Sequence, residues 1–302
     1  QVLPMLSRKN VRNSKKVLSN PFIILILAIS AVFYFFVRKS PSSERYVANS
    51  ASEREYHSAQ FVPSFVPTTD TANICQVENL NFPYRTVMID QSPNYKMYVY
   101  GPGKDKYISD SIFNSNGKQS FERHLQILME QQLKERVPKE TMILDIGANI
   151  GLHALNLASK GFFVHAFEPA PDNYNFLKCS KVANQFDNLV VNKFGLSSED
   201  SVLCIDIHKE NRGGASLKTG KCPEAEKVVT KKLDDYFDHV LNGKSPYMIK
   251  IDVEGYELFA LFGGEKMFKQ DPPKLVFSEV SPAGYLKHGQ DVTQFYDFFW
   301  KY

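Results

Sequence analysis

The 302-residue chain lacks several features that would assign it quickly to a functional class. It contains no Asn-x-Ser/Thr sequon, and its formal net charge is only +3. Five basic residues and no acids lie in the first twenty positions, so the remainder offers no basic groove for nucleic acid. A composition that is 43% hydrophobic and 23% charged is typical of a globular protein and argues against wholesale disorder.

Cysteine is also scarce, with only Cys75, Cys179, Cys204 and Cys222. Four cysteines allow three pairings. Cys179 falls in a helical pattern and Cys204 in a strand pattern, where a buried free thiol is the simplest interpretation. If disulfides form, Cys204 with Cys222 is the first pair to test.

The chain has a single long uncharged apolar run, residues 21–37 (PFIILILAISAVFYFFV). As a helix it would span about 25 Å, slightly less than a hydrocarbon core of ~30 Å, which suits the thinner membranes of the early secretory pathway. The basic residues before it outnumber Arg38 and Lys39 after it, which favours a cytoplasmic N-terminus. A cleaved signal peptide is the alternative, but the exit Phe-Phe-Val-Arg-Lys is a poor cleavage site.

These features predict a single-pass type II membrane protein of the Golgi or endoplasmic reticulum. Residues 1–20 would be a basic cytoplasmic tail and 21–37 a transmembrane anchor. Residues 38–81, with three prolines and many Ser and Thr, would be a flexible stem. Residues 82–302 would form the folded domain. Its apolar end, Phe298–Tyr302, resembles an interrupted helix, so we expect the domain to continue beyond it.

Strand and helix patterns alternate through this domain. Two short strands, 86–90 and 96–100, and a helix over 121–136 capped by Ser120 come first. Strands are then predicted at 142–146, 162–167, 189–194, 248–253 and 275–280, with helices at 152–159, 172–183, 233–240, 258–268 and 292–301. Residues 202–207 and 228–231 indicate an inserted hairpin. The pattern predicts an α/β fold, a Rossmann-like, doubly wound, mostly parallel sheet with ligands at the carboxyl ends of its strands.

Two motifs at such strand ends predict a nucleoside cofactor. In Leu144–Gly151 (LDIGANIG), Gly147 permits a tight turn, and Asp145 suits the ammonium group of a cationic amino-acid cofactor. A pyrophosphate would be repelled, and the G-x-G-x-x-G spacing of a nicotinamide site is absent. Glu168, followed by Pro169, ends the next strand, where a carboxylate can accept both hydroxyls of a ribose.

A third motif, IKIDVEGYE from Ile249 to Glu257, carries the candidate catalytic residues. On a strand, Lys250, Asp252 and Glu254 would share one face. Asp252 is the preferred proton acceptor for a hydroxyl nucleophile, with Lys250, Glu254 and Glu279 as further candidates. The carboxylates of Asp252, Glu254 and Glu279 could alternatively hold a divalent cation, but no metal is predicted.

Three histidines are titratable candidates in the same region. His153, early in the first helix after the glycine turn, would flank the cofactor. His165 alternates within an apolar strand, which favours a satisfied core residue. His288 lies in a loop from which it could reach a substrate.

Together, Asp145–Gly151, Glu168-Pro169 and the KIDVEG segment resemble the FkbM-type methyltransferase family. The resemblance covers about Tyr84 to the end and includes Gly213–Leu217 and Leu233–Tyr236. It implies a class I methyltransferase fold, S-adenosyl-L-methionine as cofactor, and methyl transfer to a hydroxyl oxygen of a carbohydrate, lipid or small molecule. The antiparallel strand pair that normally ends this fold is not found in the sequence.

The motifs themselves give the predicted site residues. The cofactor-binding set is Asp145, Gly147, Asn149, Gly151, Glu168 and Pro169, and the catalytic set is Asp252, Lys250, Glu254 and Glu279. Two alternatives stay open at this point, a non-catalytic nucleotide-binding module of the same fold and a nicotinamide-dependent oxidoreductase. Nucleotide binding would separate them. The acceptor and the oligomeric state are not predicted.

Overall fold

A computed structural model describes residues 22–29, 32–39, 75, 83–118, 121–207 and 210–302 of the chain. The predicted tail (1–20), nearly all of the predicted stem (38–81) and the predicted helix cap Ser120 lie outside these residues.

A seven-stranded sheet forms the centre of the protein, in the order β1-β2-β13-β12-β5-β6-β7. Its strands are β1 (Phe22–Ile29), β2 (Val32–Lys39), β5 (Met142–Ile146), β6 (Phe163–Phe167), β7 (Leu189–Asn192), β12 (Met248–Ile251) and β13 (Leu275–Val280). The five strands from β13 to β7 are all parallel to one another. The α/β fold with a parallel sheet, predicted from the alternating pattern, is therefore confirmed.

Helices cover both faces of this sheet. They are α1 (Ser109–Asn114), α2 (Arg123–Leu133), α3 (Leu152–Ser159), α4 (Pro171–Asn184), α5 (Leu233–His239), α6 (Glu257–Phe262), α7 (Glu265–Gln270), α8 (Pro282–Lys287) and α9 (Val292–Lys301). Successive strand residues alternate between two cores, as Ile143 and Leu144 of β5 show. One core includes residues of α2, α3 and α4, and the other includes residues of α5, α6, α7 and α9. The parallel strands are thus buried on both faces.

Residues 21–37 do not form the predicted transmembrane helix. Phe22–Ile29 and Val32–Lys39 are two antiparallel strands, and β2 pairs with β13 from Leu275↔Arg38 to Val280↔Phe33. The segment is rich in β-branched and aromatic residues, which favour strands. Within the described ranges, no helix has both the length and the apolar character needed to cross a membrane. Two antiparallel strands from the N-terminal region therefore extend the central sheet beside β13.

Two smaller sheets flank the central one. β3 (Tyr84–Ile89) and β4 (Tyr95–Tyr100) correspond to the two short strands predicted at 86–90 and 96–100, and they pair in antiparallel orientation. The other has the order β10-β9-β11-β8 and consists of β8 (Gly195–Leu196), β9 (Ser201–Asp206), β10 (Ser216–Lys218) and β11 (Lys227–Lys231). Its β9 and β11, near the strands predicted at 202–207 and 228–231, are antiparallel, but β10 lies between them in the chain and also pairs with β9.

All four cysteines are paired in disulfides. Cys204 of β9 is bonded to Cys222, the pair favoured from the sequence. Cys179 of α4 is bonded to Cys75, so the interpretation of Cys179 and Cys204 as buried free thiols is wrong.

Two predicted elements near the site have different bounds. β12 ends at Ile251 instead of residue 253, because Glu254 and Gly255 adopt positive φ angles of 56° and 93° and leave the strand. The predicted helix 258–268 is broken into α6 and α7 at Gly263 and Gly264, where a Cβ on Gly263 would collide with the carbonyl of Ser197. The first difference affects the predicted catalytic residues.

Candidate functional site

A cavity of about 690 Å³ lies at the carboxyl ends of the central strands. The parallel strands lie in the order β7-β6-β5-β12-β13, so successive strands are added in one direction from β5 to β7 and in the opposite direction from β12 to β13. Ligands in open α/β sheets bind at this topological switch point. The cavity is lined there by the turn after β5, the end of β6 and the loop after β12.

The turn after β5 brings the backbone close to β12. Gly147 has φ of 78°, and a Cβ there would collide with the carbonyl oxygen of Asp252. Asn149 also has positive φ, and its Nδ2 donates to the Gly213 carbonyl at 3.1 Å. Gly147 and Asn149 line the cavity, as predicted for cofactor-binding residues.

Gly151 has a packing role that the motif did not indicate. It precedes α3 with φ of 98°, and a Cβ there would collide with Leu177 of α4. Gly151 is not among the residues that line the cavity. Its predicted place in the cofactor-binding set is therefore replaced by close packing of two helices.

Glu168 faces the cavity from the end of β6, followed by Pro169. Its Oε2 accepts the Asn149 N–H at 2.8 Å, and its Oε1 accepts the Ala170 N–H at 2.8 Å. Burial raises the pKa of Glu168 to about 7, against the effect of these two bonds. The Asn173 side chain also hydrogen-bonds this carboxylate, which is thus fixed in orientation and keeps a remaining lone pair that could accept a ribose hydroxyl.

Asp145 lies one layer below the cavity. It is completely buried, pairs in register with Lys250 of β12 and does not line the cavity. Its Oδ1 is 3.4 Å from the Lys250 ammonium, which also donates to the Gly147 carbonyl at 3.1 Å. The predicted direct contact with a cofactor ammonium is replaced by an ion pair that holds Lys250 under the glycine turn.

Lys250 is held in its charged form. Burial favours the neutral amine, but the charges of Asp252 and Asp145 outweigh burial and raise the pKa of Lys250 above its usual value. Its Nζ is 3.5 Å from the Asp252 carboxylate. A permanently protonated lysine cannot accept a proton, so Lys250 is unsuited to the role of general base.

Three acids surround the end of β12. Because the strand ends at Ile251, Asp252 and Glu254 lie in the following loop and not on one strand face with Lys250; all three still line the cavity, with Glu279 from β13. Burial and then the Asp252 carboxylate raise the pKa of Glu279 well above its usual range, so Glu279 holds a proton and hydrogen-bonds Asp252. This leaves Asp252 and Glu254 as the candidate proton acceptors around the end of β12.

Glu254 sits at the mouth of the cavity on a strained backbone. Its φ of 56° is unusual for a residue with a side chain, and such strain concentrates at functional sites. Although the residue is exposed overall, its carboxyl group is largely enclosed. This enclosure, followed by the Asp252 charge, raises the pKa of Glu254 to about 7.

Sequence reasoning missed Glu257, which shapes this loop. Glu257 is completely buried at the start of α6, and its Oε1 accepts the N–H groups of Val253 at 3.0 Å and Gly255 at 3.1 Å. These bonds fix the turn that presents Asp252 and Glu254. In the sequence, the signal for this contact is the four-residue spacing between Val253 and Glu257.

Glu122 and His153 form a second polar pair in the cavity wall. Both are buried, and Glu122 Oε2 is 2.7 Å from His153 Nε2. The Glu122 charge acts on both Lys250 and Glu254. His153 was expected at the cofactor, but nothing in the sequence links it to Glu122, which is 31 positions away.

The two other histidines lie away from the lining. His165 Nδ1 is 2.7 Å from the Tyr236 hydroxyl, and burial lowers the pKa of His165 to about 4, as expected for a satisfied core residue. His288 packs edge-on against the rings of Tyr256 and Phe259 and does not line the cavity, so its predicted reach towards substrate is not observed. Among the described residues, no group of three or more His, Cys, Asp or Glu is placed to hold a metal ion.

Comparison with known families shows the family to which the chain belongs. The family model described as "Methyltransferase FkbM domain" matches residues 145–301, just over half of the chain, from Asp145 of the glycine turn to the last helix. The chain belongs to the FkbM methyltransferase family. The resemblance inferred from the DIGANIG and KIDVEG motifs is thereby confirmed, and the oxidoreductase alternative loses its support.

Two curated methyltransferases are similar to this FkbM domain. "Methyltransferase 1" of Beauveria bassiana is 26% identical over 147 residues, 42% of this chain and 59% of the relative. "Hexuronic acid methyltransferase AglP" of Haloferax volcanii is 33% identical over 134 residues, 43% of this chain and 53% of the relative. The chain therefore spans between half and three fifths of the length of these relatives.

Two solved structures are also similar. The FkbM methyltransferase of Methylobacillus flagellatus KT aligns with a TM-score of 0.32 and 23% identity, over 44% of this chain and 31% of that one. An S-adenosylmethionine-dependent methyltransferase of Agrobacterium tumefaciens aligns with a TM-score of 0.31 and 8% identity, over 78% of this chain and 60% of that one.

Proposed function

We propose that this FkbM-family protein is an S-adenosylmethionine-dependent methyltransferase that methylates a hydroxyl oxygen of a carbohydrate. The observation that carries the proposal is the meeting of the Gly147 turn, Glu168 and Asp252 around one cavity at the topological switch point. The carbohydrate acceptor is favoured over a lipid or another small molecule because one relative is named as a hexuronic acid methyltransferase.

The residues present fit the proposed cofactor. Glu168 is oriented for the ribose hydroxyls, while Ile205 and Leu217 pack with Ala170 beside it and provide an apolar wall for the adenine ring. The acids around β12 suit a positively charged sulfonium, and the cavity volume is within the range of small-molecule sites. When bound, S-adenosylmethionine supplies an electrophilic methyl group.

The protein's part in the transfer is to orient the acceptor hydroxyl and remove its proton. We assign proton acceptance to Asp252, because Lys250 and Glu279 are both held protonated. Glu254, with a pKa of about 7, is the second carboxylate able to act. Lys250 and Glu279 position Asp252 from two sides, through an ion pair at 3.5 Å and a hydrogen bond.

Asp252→Asn tests this assignment because it keeps the shape of the side chain and removes its basicity. General-base loss is worth about 10²–10⁴ in rate, so methyl transfer should fall by that factor while S-adenosylhomocysteine affinity by calorimetry stays within about twofold. Glu254→Gln is the matched comparison at the neighbouring carboxylate. A normal rate for Asp252→Asn would disprove its role as base.

The pH profile separates the two carboxylates. The groups that act on the Glu254 carboxyl are Asp252, Lys250, Glu122 and Lys287. If Glu254 were the base, kcat/KM would rise with pH through about 7, because its ionised form is the active one. Loss of that rise in Glu254→Gln, with Asp252→Asn still active, would transfer the assignment to Glu254. Binding of S-adenosylhomocysteine without methyl transfer to any glycan would instead support a non-catalytic module.

The two disulfides bear on the cellular compartment in which the domain works. Both Cys75–Cys179 and Cys204–Cys222 are formed, and structural disulfides persist in oxidising environments such as the secretory pathway. We therefore propose that the domain works in the lumen of that pathway. Complete labelling of all four cysteines by a thiol reagent in protein isolated without reductant would contradict this.

A further inference from the structure

Two exposed aromatic rings border the cavity. Tyr107 is 47% exposed and Phe121 is 50% exposed, and their ring centroids are 5.4 Å apart at an interplanar angle of 58°. Both line the same cavity as Asp252. Large aromatic side chains left exposed beside a concave polar site are characteristic of ligand contact, because they bury extensive surface at small entropic cost.

The pair lies at the acidic part of the cavity. Phe121 directly precedes Glu122, whose charge acts on Lys250 and Glu254. The apolar wall of Ile205 and Leu217 instead packs with Ala170, next to Glu168, where the proposed cofactor would place its nucleoside. The aromatic pair is thus on the side left for the acceptor.

This side of the cavity carries acidic groups and, among the described residues, no unpaired lysine or arginine. Glu122, Asp252 and Glu254 contribute acidic groups, while Lys250 is the one lysine or arginine among the described lining residues. Lys250 is already paired with Asp145 and Asp252 and is only 4% exposed. An anionic acceptor would therefore meet like charges and no unpaired lysine or arginine of the described part of the chain, a cost that selects against it.

Polar atoms for an uncharged acceptor are present. The buried Oε2 of Glu279 and Nδ1 of His153 have no hydrogen-bond partner within the described protein, and both residues line the cavity. Both are more than nine-tenths buried. Buried polar atoms without partners are rare and mark places where a polar ligand can bind. Carboxyl and imidazole groups bind sugar hydroxyls as either donors or acceptors.

We propose that Tyr107 and Phe121 are the stacking platform of the acceptor subsite and that the acceptor is an uncharged sugar ring, not a uronate. This rests on the proposed methyltransferase function and narrows its substrate class. The apolar face of a pyranose packs on the rings while its hydroxyls reach the acidic groups around Asp252. The specificity differs from that named for the Haloferax relative, which acts on a hexuronic acid.

The test is direct binding by saturation-transfer difference NMR and titration, with the full chain saturated with S-adenosylhomocysteine. The probes are the methyl glycosides of glucose, galactose and mannose, each compared with its uronate. We expect at least one neutral glycoside to bind and its uronate to bind at least about tenfold more weakly, the effect of one unfavourable charge contact. Equal or tighter binding of the uronates would overturn the proposed selection against an anionic acceptor.

Variants of the rings test the platform. Tyr107→Ala and Phe121→Ala should each weaken glycoside binding about five- to tenfold, the worth of one aromatic contact. Tyr107→Phe should bind normally. Phe163→Ala and Trp300→Ala are controls, because these exposed aromatic residues, 46% and 49% exposed, lie outside the lining. Unchanged binding in both alanine variants, or no binding of any probe, would overturn the platform.

These experiments distinguish a failure of the platform proposal from a failure of the proposed function. Binding is read without turnover, so a platform that binds glycosides is detected even if no methyl group is transferred. Conversely, methyl transfer to a glycan with Tyr107→Ala and Phe121→Ala at normal acceptor KM would retain the enzyme and reject the platform. Absence of S-adenosylhomocysteine binding in calorimetry would count against the proposed function itself.

Discussion

At the scale of single residues, Glu168 shows how a carboxylate can be both part of the structure and a binding group. Its two oxygens accept backbone N–H groups on opposite sides, from Asn149 and Ala170. These bonds orient it towards the cavity before any ligand binds. Burial nevertheless raises its pKa to about 7, so a ligand whose hydroxyls bind the carboxylate would favour its ionised form.

We predict that Glu168→Gln lowers S-adenosylhomocysteine affinity at least about tenfold. The amide keeps one acceptor oxygen but loses the charge, and a hydrogen bond to a charged group is worth about 1.5–3 kcal/mol. Isothermal calorimetry measures the change, with the exposed Glu199→Gln as control. An affinity equal to that of the unaltered protein would remove Glu168 from the ribose role.

Reasoning from the sequence placed residues correctly where a motif fixes the backbone. It failed where burial and tertiary contacts determine the position of a side chain. Gly147, Glu168 and Asp252 line the cavity as expected, because strand ends of a parallel sheet meet at one edge. Asp145 was misplaced because a strand pattern does not show which layer a side chain occupies. Glu122 was missed because it reaches His153 through a tertiary contact between two helical segments.

At the scale of elements, the close approach of β5 and β12 depends on the turn after β5. Asp252 N donates to the Ile146 carbonyl at 3.0 Å, while Gly147 lies against the Asp252 carbonyl. The two ends that carry the cofactor turn and the candidate base are therefore held by direct backbone contact. A side chain at Gly147 would push them apart.

Gly147→Ala and Gly103→Ala form a matched pair that isolates this contact. Their φ angles are 78° and 70°, so each alanine pays about 1–2 kcal/mol for the left-handed conformation. Gly103 has open space at its Cβ position, whereas Gly147 faces the Asp252 carbonyl. We expect urea unfolding to show a loss for Gly147→Ala that exceeds the loss for Gly103→Ala by at least about 1 kcal/mol, the lower range of overpacking costs. Equal losses of unfolding free energy would show that the turn at Gly147 can relax to avoid the collision with the Asp252 carbonyl.

Elements were predictable from pattern when their periodicity was sustained. The five parallel strands and most of their helices were predicted in the correct order, with bounds shifted by a few residues. The segment 21–37 was not, because an apolar run suits a transmembrane helix and a pair of strands equally until its neighbours are known. Here the open edge of β13 provides the hydrogen-bond partner, and β2 occupies it.

At the scale of the whole molecule, the protein concentrates buried acids around the end of β12. Glu257 is completely buried, and burial raises its pKa from 4.5 to about 7 despite the two backbone N–H groups it binds. Burial likewise raises the pKa values of Glu168 and Glu254 to about 7. Such a site costs stability whenever these groups must ionise, which is a common consequence of building a functional cavity.

The consequence is a pH dependence of global stability with a definite sign. Between pH 4.5 and about 7 the folded protein binds more protons at Glu257 than the unfolded chain does, so the free energy of unfolding falls as pH rises. The favourable contribution is fully present below 4.5 and is lost as pH rises through about 7. For this one carboxyl the loss is of order 3 kcal/mol.

We therefore predict that the ligand-free protein is less stable at pH 8 than at pH 5, and that Glu257→Gln reduces this difference. Glutamine resembles the protonated acid, keeps an oxygen for the N–H groups of Val253 and Gly255, and cannot ionise. Urea unfolding at pH 5, 6, 7 and 8 measures the difference, and Glu135→Gln, whose side chain is 84% exposed, controls for charge alone. If Glu257→Gln and the unaltered protein lose the same stability over this range, Glu257 binds no more protons in the folded state than in the unfolded chain, and its pKa is not raised by folding. Glu257 would then lose its proton more readily than its burial implies.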